Sequence, residues 1–253
     1  VALREKLSAS ISQTLSMINL NMVSEIEKYQ YLCGSICISE EIKDGLLNKD
    51  MSDIEKNQAI NEIQSMIRTK IIYPAQAKNI TVYDTDGNIF YDLGYDGFYQ
   101  DDVDMLLDRL RQENQDVWAY VHTYRDRDIL VLGRRIYEQY SESRVIGYTL
   151  ISIDEKIFSK TVLEPVGLAD SSNIMYMNMD GSVLSSWDRN IALGKKVDSE
   201  FLKNIQQKLP SRTDSFSIHK DGEEQLVTYI FNKNLNQLFV YTMPCLLYTS
   251  PSP

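Results

Sequence analysis

The stretch Asp116-Val-Trp-Ala-Tyr-Val-His-Thr123 holds the side chains best suited to gripping a small molecule. Strict alternation along a strand puts Trp118, Tyr120 and His122 on one face and Val117, Ala119 and Val121 on the other. Rings with polar tips can stack on a sugar or an amine and hydrogen-bond it at the same time. In the apolar stretch 129–137, Arg134 and Arg135 are neighbours and point to opposite faces, so at most one joins Trp118. A half-buried arginine clamps a carboxylate through two parallel hydrogen bonds. With Tyr148 and Ser152 from the following strand, the candidate ligand-binding set is Trp118, Tyr120, His122, Arg135, Tyr148 and Ser152. The same residues also suit a plain structural role, with Trp118 in a core and the arginines in surface ion pairs.

Catalytic signals are missing. His122 and His219 are the only histidines, and neither has a Ser, Cys or carboxylate at a triad-like spacing. The sequence contains no GxSxG elbow, Walker loop or HExxH pair. Asp84 and Asp86, and Asp101, Asp102 and Asp104, lack the regular oxygen spacing of an EF-hand and read as turn and helix-start chemistry. Cys33, Cys37 and Cys245 form no CxxC pair and no Cys/His cluster, which argues against zinc. An odd, unpaired count is not a disulfide framework. No catalytic residue, metal or cofactor is expected.

These side chains need a scaffold, and the periodicities supply one. Leu3, Leu7, Ile11, Leu15, Ile18, Met22, Ile26, Tyr29, Leu32 and Ile36 recur at three- and four-residue steps with no intervening proline. A helix of that extent is roughly 54 Å long at 1.5 Å per residue. Its near-heptad seam also suits pairing with a second copy. Two shorter helices follow. Ser39 with Glu40 and Glu41 starts one. Ser52-Asp-Ile-Glu55 is a capping box for the next, which buries Ile60, Ile63, Ile67 and Ile71 and ends at Pro74.

The pattern then changes to period two. A hairpin over 80–91 turns at Asp86-Gly87, a helix spans 101–110, and strands cover 117–123, 129–137 and 145–153. Asp154 suits the cap of a short helix ending at Leu163. A second hairpin over 174–184 turns at Asp180-Gly181. A helix opens at Ser199, and strands follow at 216–219, 225–231 and 238–242, the first two joined near Asp221-Gly222. Val82-Tyr-Asp-Thr-Asp-Gly-Asn-Ile-Phe90 and Tyr176-Met-Asn-Met-Asp-Gly-Ser-Val-Leu184 share one template, 94 residues apart. Common order and common turn argue for a duplicated lobe.

The net charge of −10 argues against a nucleic-acid partner and against adhesion to an anionic membrane surface. No run of about 18 apolar residues occurs, so no segment here is expected to span a bilayer. The opening Val1-Ala-Leu-Arg-Glu5, already helical in pattern, reads as a segment cut from a longer protein. The stretch 245–253 breaks from what precedes it and reads as a disordered or non-native tail.

A long helix followed by two lobes, each ordered hairpin, helix, antiparallel strands, resembles the double Cache sensor domain. Gly147-Tyr-Thr-Leu-Ile-Ser-Ile-Asp-Glu-Lys-Ile-Phe158 looks like the strand closing its first lobe. Met177-Asn-Met-Asp-Gly-Ser-Val-Leu-Ser-Ser186 looks like the start of its second. The resemblance is greatest to ectodomains of membrane sensor histidine kinases of Gram-positive bacteria. It implies an α+β fold with two PAS-like antiparallel sheets: helices over 1–76, a membrane-distal lobe over 77–165 and a membrane-proximal lobe over 166–244. It further implies a small-molecule ligand of carbohydrate-related chemistry in the distal lobe, flanking transmembrane helices, an extracellular location and a homodimer through the long helix. A chemoreceptor, a cyclic-nucleotide enzyme or a protein-interaction module would suit the same fold. Amino-acid-binding members carry an Arg two residues before the strand Trp, a Tyr just after it and an Asp near the end of the closing strand. Asp116, Ala119 and Ser152 stand there, which speaks against α-amino-acid recognition of that kind.

Overall fold

The computed structural model describes residues 2–70, 77–94, 97–139, 144–168, 170–209, 211–220 and 222–245. Ile71, Pro74, Asp221 and the tail 246–253 lie outside the described residues, as do the side chains of Leu3 and Leu7. Helix α1 (Ala2–Cys37) is followed by α2 (Glu40–Leu47) and α3 (Asp53–Lys70). The first lobe then runs β1 (Ala77–Asp84), β2 (Ile89–Leu93), α4 (Gln100–Gln112), β3 (Val117–His122), β4 (Asp128–Tyr137) and β5 (Val145–Asp154). After α5 (Glu155–Val162) comes the second: β6 (Asn173–Asn178), β7 (Val183–Ser186), α6 (Ser199–Gln206), β8 (Thr213–Lys220), β9 (Glu223–Asn232) and β10 (Gln237–Pro244).

Local chemistry fixes the helix starts. Ser39 Oγ accepts from Ile42 N at 3.3 Å, satisfying a donor at the start of α2. The Ser52/Glu55 box is present in both directions: Ser52 N donates to Glu55 Oε2 at 2.8 Å and Glu55 N to Ser52 Oγ at 3.4 Å. The α6 cap is Asp198, one residue before the expected start. Its Oδ1 accepts from Glu200 N and Phe201 N. In the apolar stripe of α1, Leu15, Met22, Ile26, Tyr29, Leu32 and Ile36 have no exposed surface, while Ile11 and Ile18 are half-buried.

Each lobe is a five-stranded antiparallel sheet, β2-β1-β5-β4-β3 in the first and β7-β6-β10-β9-β8 in the second. The duplication extends to the irregularities. The hairpin register slips between Val82 and Tyr83, and again between Tyr176 and Met177. Gly87 N donates to Asp84 O, and Gly181 N to Asn178 O. Gly87 and Gly181 have φ of 90° and 87°, the left-handed region that glycine enters without a Cβ penalty. Packing divides the chain into two compact units, Glu25–Glu155 and Val1–Ser24 with Lys156–Pro253, so residues of α1 belong to both.

In the first lobe, α4 lays Val103, Leu106, Leu107 and Leu110 on Val117, Ala119, Val121, Ile129, Val131, Tyr148 and Leu150. Burying each leucine contributes about 2 kcal/mol. Gly133 allows the close approach, since a Cβ there would lie 3.0 Å from the side chains of both Leu110 and Leu150. In the second lobe, the α6 face holds Met175, Met177, Val183, Ile205, Val227, Tyr229, Leu238 and Val240.

Candidate functional sites in the two lobes

The register of the first sheet decides which candidates share a face. Trp118 pairs with Leu132 and Tyr120 with Leu130, and His122 pairs with Asp128. Two residues along β4 from Leu132 is Arg134, so Arg134 rather than Arg135 joins the face of Trp118. Arg135 pairs with Tyr148, and Val131 with Ser152, on the α4 face. The six candidates therefore divide three and three across the sheet and do not converge on one site.

Each candidate has a structural environment. Trp118 is 3% exposed. Tyr120 donates its hydroxyl to Asp128 Oδ1 at 2.7 Å, and His122 Nδ1 lies 3.0 Å from the same oxygen at the solvent edge. Tyr148 is buried, with the Arg111 guanidinium 5.8 Å from its ring centre. Ser152 is buried between Val131 and Asn79 in the strand register. Arg135 donates to the carbonyls of Leu110 and Arg111 in the last turn of α4, and to Asn114 Oδ1 at 3.2 Å. A cation there satisfies carbonyls that the helix end leaves open.

Arg134 is held by the chain itself. Its Nε and Nη2 donate to the two oxygens of Asp116 at 2.7 and 2.6 Å, and Nη1 donates to Gln30 O at 3.3 Å. Burial works against the guanidinium charge, but the Asp116 pair outweighs it, so the group is more firmly protonated than usual. Burial pushes the nearby Cys33 thiol well above its ordinary value, with the hydrogen bond to Cys37 adding to it. A cleft of about 330 Å³ opens beside this pair. Gly34, Cys37 and Ile38 line it, together with the polar Gln115, Tyr137 and Gln139.

The second lobe contains a larger cavity, about 830 Å³, between its sheet, the connection after β7 and the start of α6. Met175, Val183, Ile191 and Phe201 give it apolar surface, and Asn173, Lys195 and Gln225 give it polar surface. The wall is built from the connection itself. Gly194 N donates to Val183 O, Val183 N to Lys195 O and Val197 N to Gly181 O, so the segment lies along β7. Sequence reading found only structural signals in this lobe. The available hint was length: Ser186 to Ser199 separates hairpin from helix here, against Leu93 to Gln100 in the first lobe.

Two sheets of identical strand order, each with a helix between its second and third strands, give the chain a Cache-like fold. Solved structures share this fold over nearly all of the chain. The extracellular domain of rpHK1S-Z16, described as a histidine kinase, superposes with a TM-score of 0.64 at 14% identity, over 96% of this chain and 99% of that one. The sensor domain of the V. cholerae histidine kinase DctB gives 0.59 at 13% identity, over 95% and 98%. The ligand-binding domain of the Campylobacter jejuni chemoreceptor Tlp3, solved with L-norvaline, gives 0.60 at 13% identity, over 97% and 95%. No family model matches the sequence, and no curated protein matches it. Among the described residues no helix is long and apolar enough to cross a membrane, and no group of three or more His, Cys, Asp or Glu could hold a metal ion.

Proposed function

We propose that this chain is the extracellular ligand-sensing region of a bacterial membrane receptor, and that its output is a histidine kinase. The observation that carries this reading is coverage: both lobes together match nearly the full length of sensor domains from such receptors. The first lobe, membrane-distal in this arrangement, takes a small, neutral, hydroxylated solute of carbohydrate type in the cleft beside Arg134. Asp116 already satisfies Arg134, and the end of α4 satisfies Arg135, which leaves the amides of Gln115 and Gln139 to select neutral groups. The departures at Asp116, Ala119 and Ser152 support a ligand other than an α-amino acid. Binding signals by favouring one of two arrangements of the receptor. Pairing of α1 with a second copy belongs to the same reading, and sedimentation of the intact chain tests it.

The ligand is tested by thermal-shift screening of the intact chain against sugars, polyols, amines and organic acids. A neutral hydroxylated compound should raise Tm saturably, by about 5–10 °C at a hundred times its Kd. The Gln115→Ala/Gln139→Ala pair should weaken that response. A flat response to every sugar and polyol would sink the first-lobe assignment. The gene beyond Pro244 tests the output: a kinase core supports it, and a chemoreceptor signalling hairpin overturns it.

A further inference from the structure

We infer that the second lobe has a ligand site of its own, and that the cavity beside α6 takes a small carboxylate-bearing metabolite. This rests on the sensing role proposed above and assigns a second site, of different chemistry, to the same receptor region. The central residue is Asn173, only 8% exposed and lining the cavity. Its Oδ1 accepts from Asp188 N at 2.8 Å and from Ser186 Oγ at 3.3 Å. A backbone N–H can only donate, so Asp188 N fixes which end of the amide is oxygen. Nδ2 is then a donor with no partner among the described residues. The amide lines the cavity, so this donor is available to an acceptor bound there.

The charged groups sort the same way. Lys196 is paired with Asp180 at 3.1 Å. Asp198 caps α6, and Asp188 Oδ1 accepts from Asn190 N. Lys196 is thereby neutralised, and Asp188 and Asp198 each spend one carboxylate oxygen on the backbone. Lys195 and Lys220 also line the cavity, and neither has an ion-pair partner among the described residues. Glu200, on the rim, is the one acidic side chain there not engaged in a described hydrogen bond. Two ammonium groups and the Asn173 amide therefore offer donors, while Phe201, Ile191 and Met175 offer apolar surface. That combination matches a carboxylate on a short carbon skeleton: charge-assisted hydrogen bonds hold the anion and apolar contacts hold the rest.

The test is calorimetric titration of the intact 253-residue chain with acetate, pyruvate, succinate and citrate, and with glucose as the neutral comparison. At least one carboxylate should bind saturably. Asn173→Asp keeps the oxygen that accepts from Asp188 N and replaces the amide donor with a second carboxylate oxygen, so it should weaken binding by tenfold or more. Lys195→Gln lies on an exposed residue and cannot be confused with misfolding; it should weaken binding several-fold and flatten its salt dependence. Gln115→Ala/Gln139→Ala, in the first lobe, should leave carboxylate binding unchanged. The inference is overturned if no carboxylate binds, or if binding survives both second-lobe changes. Carboxylate binding lost with the first-lobe pair alone also overturns it, while leaving a sensing role in place.

Discussion

The two lobes share a strand order, a hairpin turn and a register slip 94 residues apart, yet they solve the space under the helix differently. The strand registers make Gly133 and Tyr229 equivalent, each facing the central strand at Leu150 and Val240. In the first lobe the glycine admits Leu110, and α4 settles onto the sheet. In the second, the buried Tyr229 ring occupies that position. Its hydroxyl donates to Lys208 O at 2.7 Å and Ser211 O at 3.1 Å, which holds the chain after α6 a phenol's length from the strand. On the opposite face the registers make Arg134 equivalent to Ile230. One fold thus carries a closely packed helix and a half-buried ion pair in one copy, and an apolar strand with an open cavity in the other.

The largest effect should come from breaking the ion pair that the second lobe does without. Arg134→Met leaves Asp116 without its cation and should cost about 2–4 kcal/mol in urea unfolding. Replacing both, Arg134→Ile with Asp116→Val, removes the two charges together and should recover most of that loss. A single change costing under about 0.5 kcal/mol would place the pair among surface bridges that contribute little. Next come the glycines. A Cβ on Gly147 would lie 2.5 Å from the Tyr83 carbonyl oxygen, a backbone atom held in the sheet. Gly147→Ala should cost about 2–3 kcal/mol. Gly181→Ala should cost about 1–2 kcal/mol from its positive φ, and more than Gly87→Ala, because its Cβ also meets Leu202 and Val197 at 3.1 and 3.2 Å. The reverse order would mean that the second turn is the looser one.

The smallest effect is one of pH. Burial works to raise Asp84 and Asp180, but hydrogen bonds from Asn88 and from Ser182 with Lys196 outweigh it, so both lie below the usual carboxylate value. A depressed folded value means that the unfolded chain binds the proton first as pH falls. The contribution is complete above about pH 4, the unfolded value, and is lost as pH drops through the folded value. Asp84→Asn or Asp180→Asn should each lower stability near neutrality by less than about 1 kcal/mol and make the acid limb shallower. An unchanged acid limb in both variants would show that these turns do not titrate with folding.

Much of the fold was legible because its signals are local. An Asp-Gly turn, a Ser-x-x-Glu box and three- and four-residue apolar steps each specify their own backbone within a few residues. The faces of Trp118, Tyr120 and His122 followed from alternation alone. The assignment of Arg134 over Arg135 to that face did not, because it depends on how β3 and β4 are paired. Nor did the second-lobe cavity, which depends on the 187–198 connection lying along β7. Asn173 looks like any strand residue until Asp188 N claims its oxygen.

Asn19 and Asn232 exchange two side-chain hydrogen bonds, at 2.9 and 3.3 Å, inside the second lobe. Such a reciprocal amide pair works as an index pin. An α-helix turns about 100° per residue, so a slip of one residue would carry Asn19 out of reach and break both bonds together. The pin sets the rotational phase of α1 on that sheet while leaving small tilts free, and any signal carried by this helix must then travel as a displacement of the pinned unit rather than as a screw motion through it.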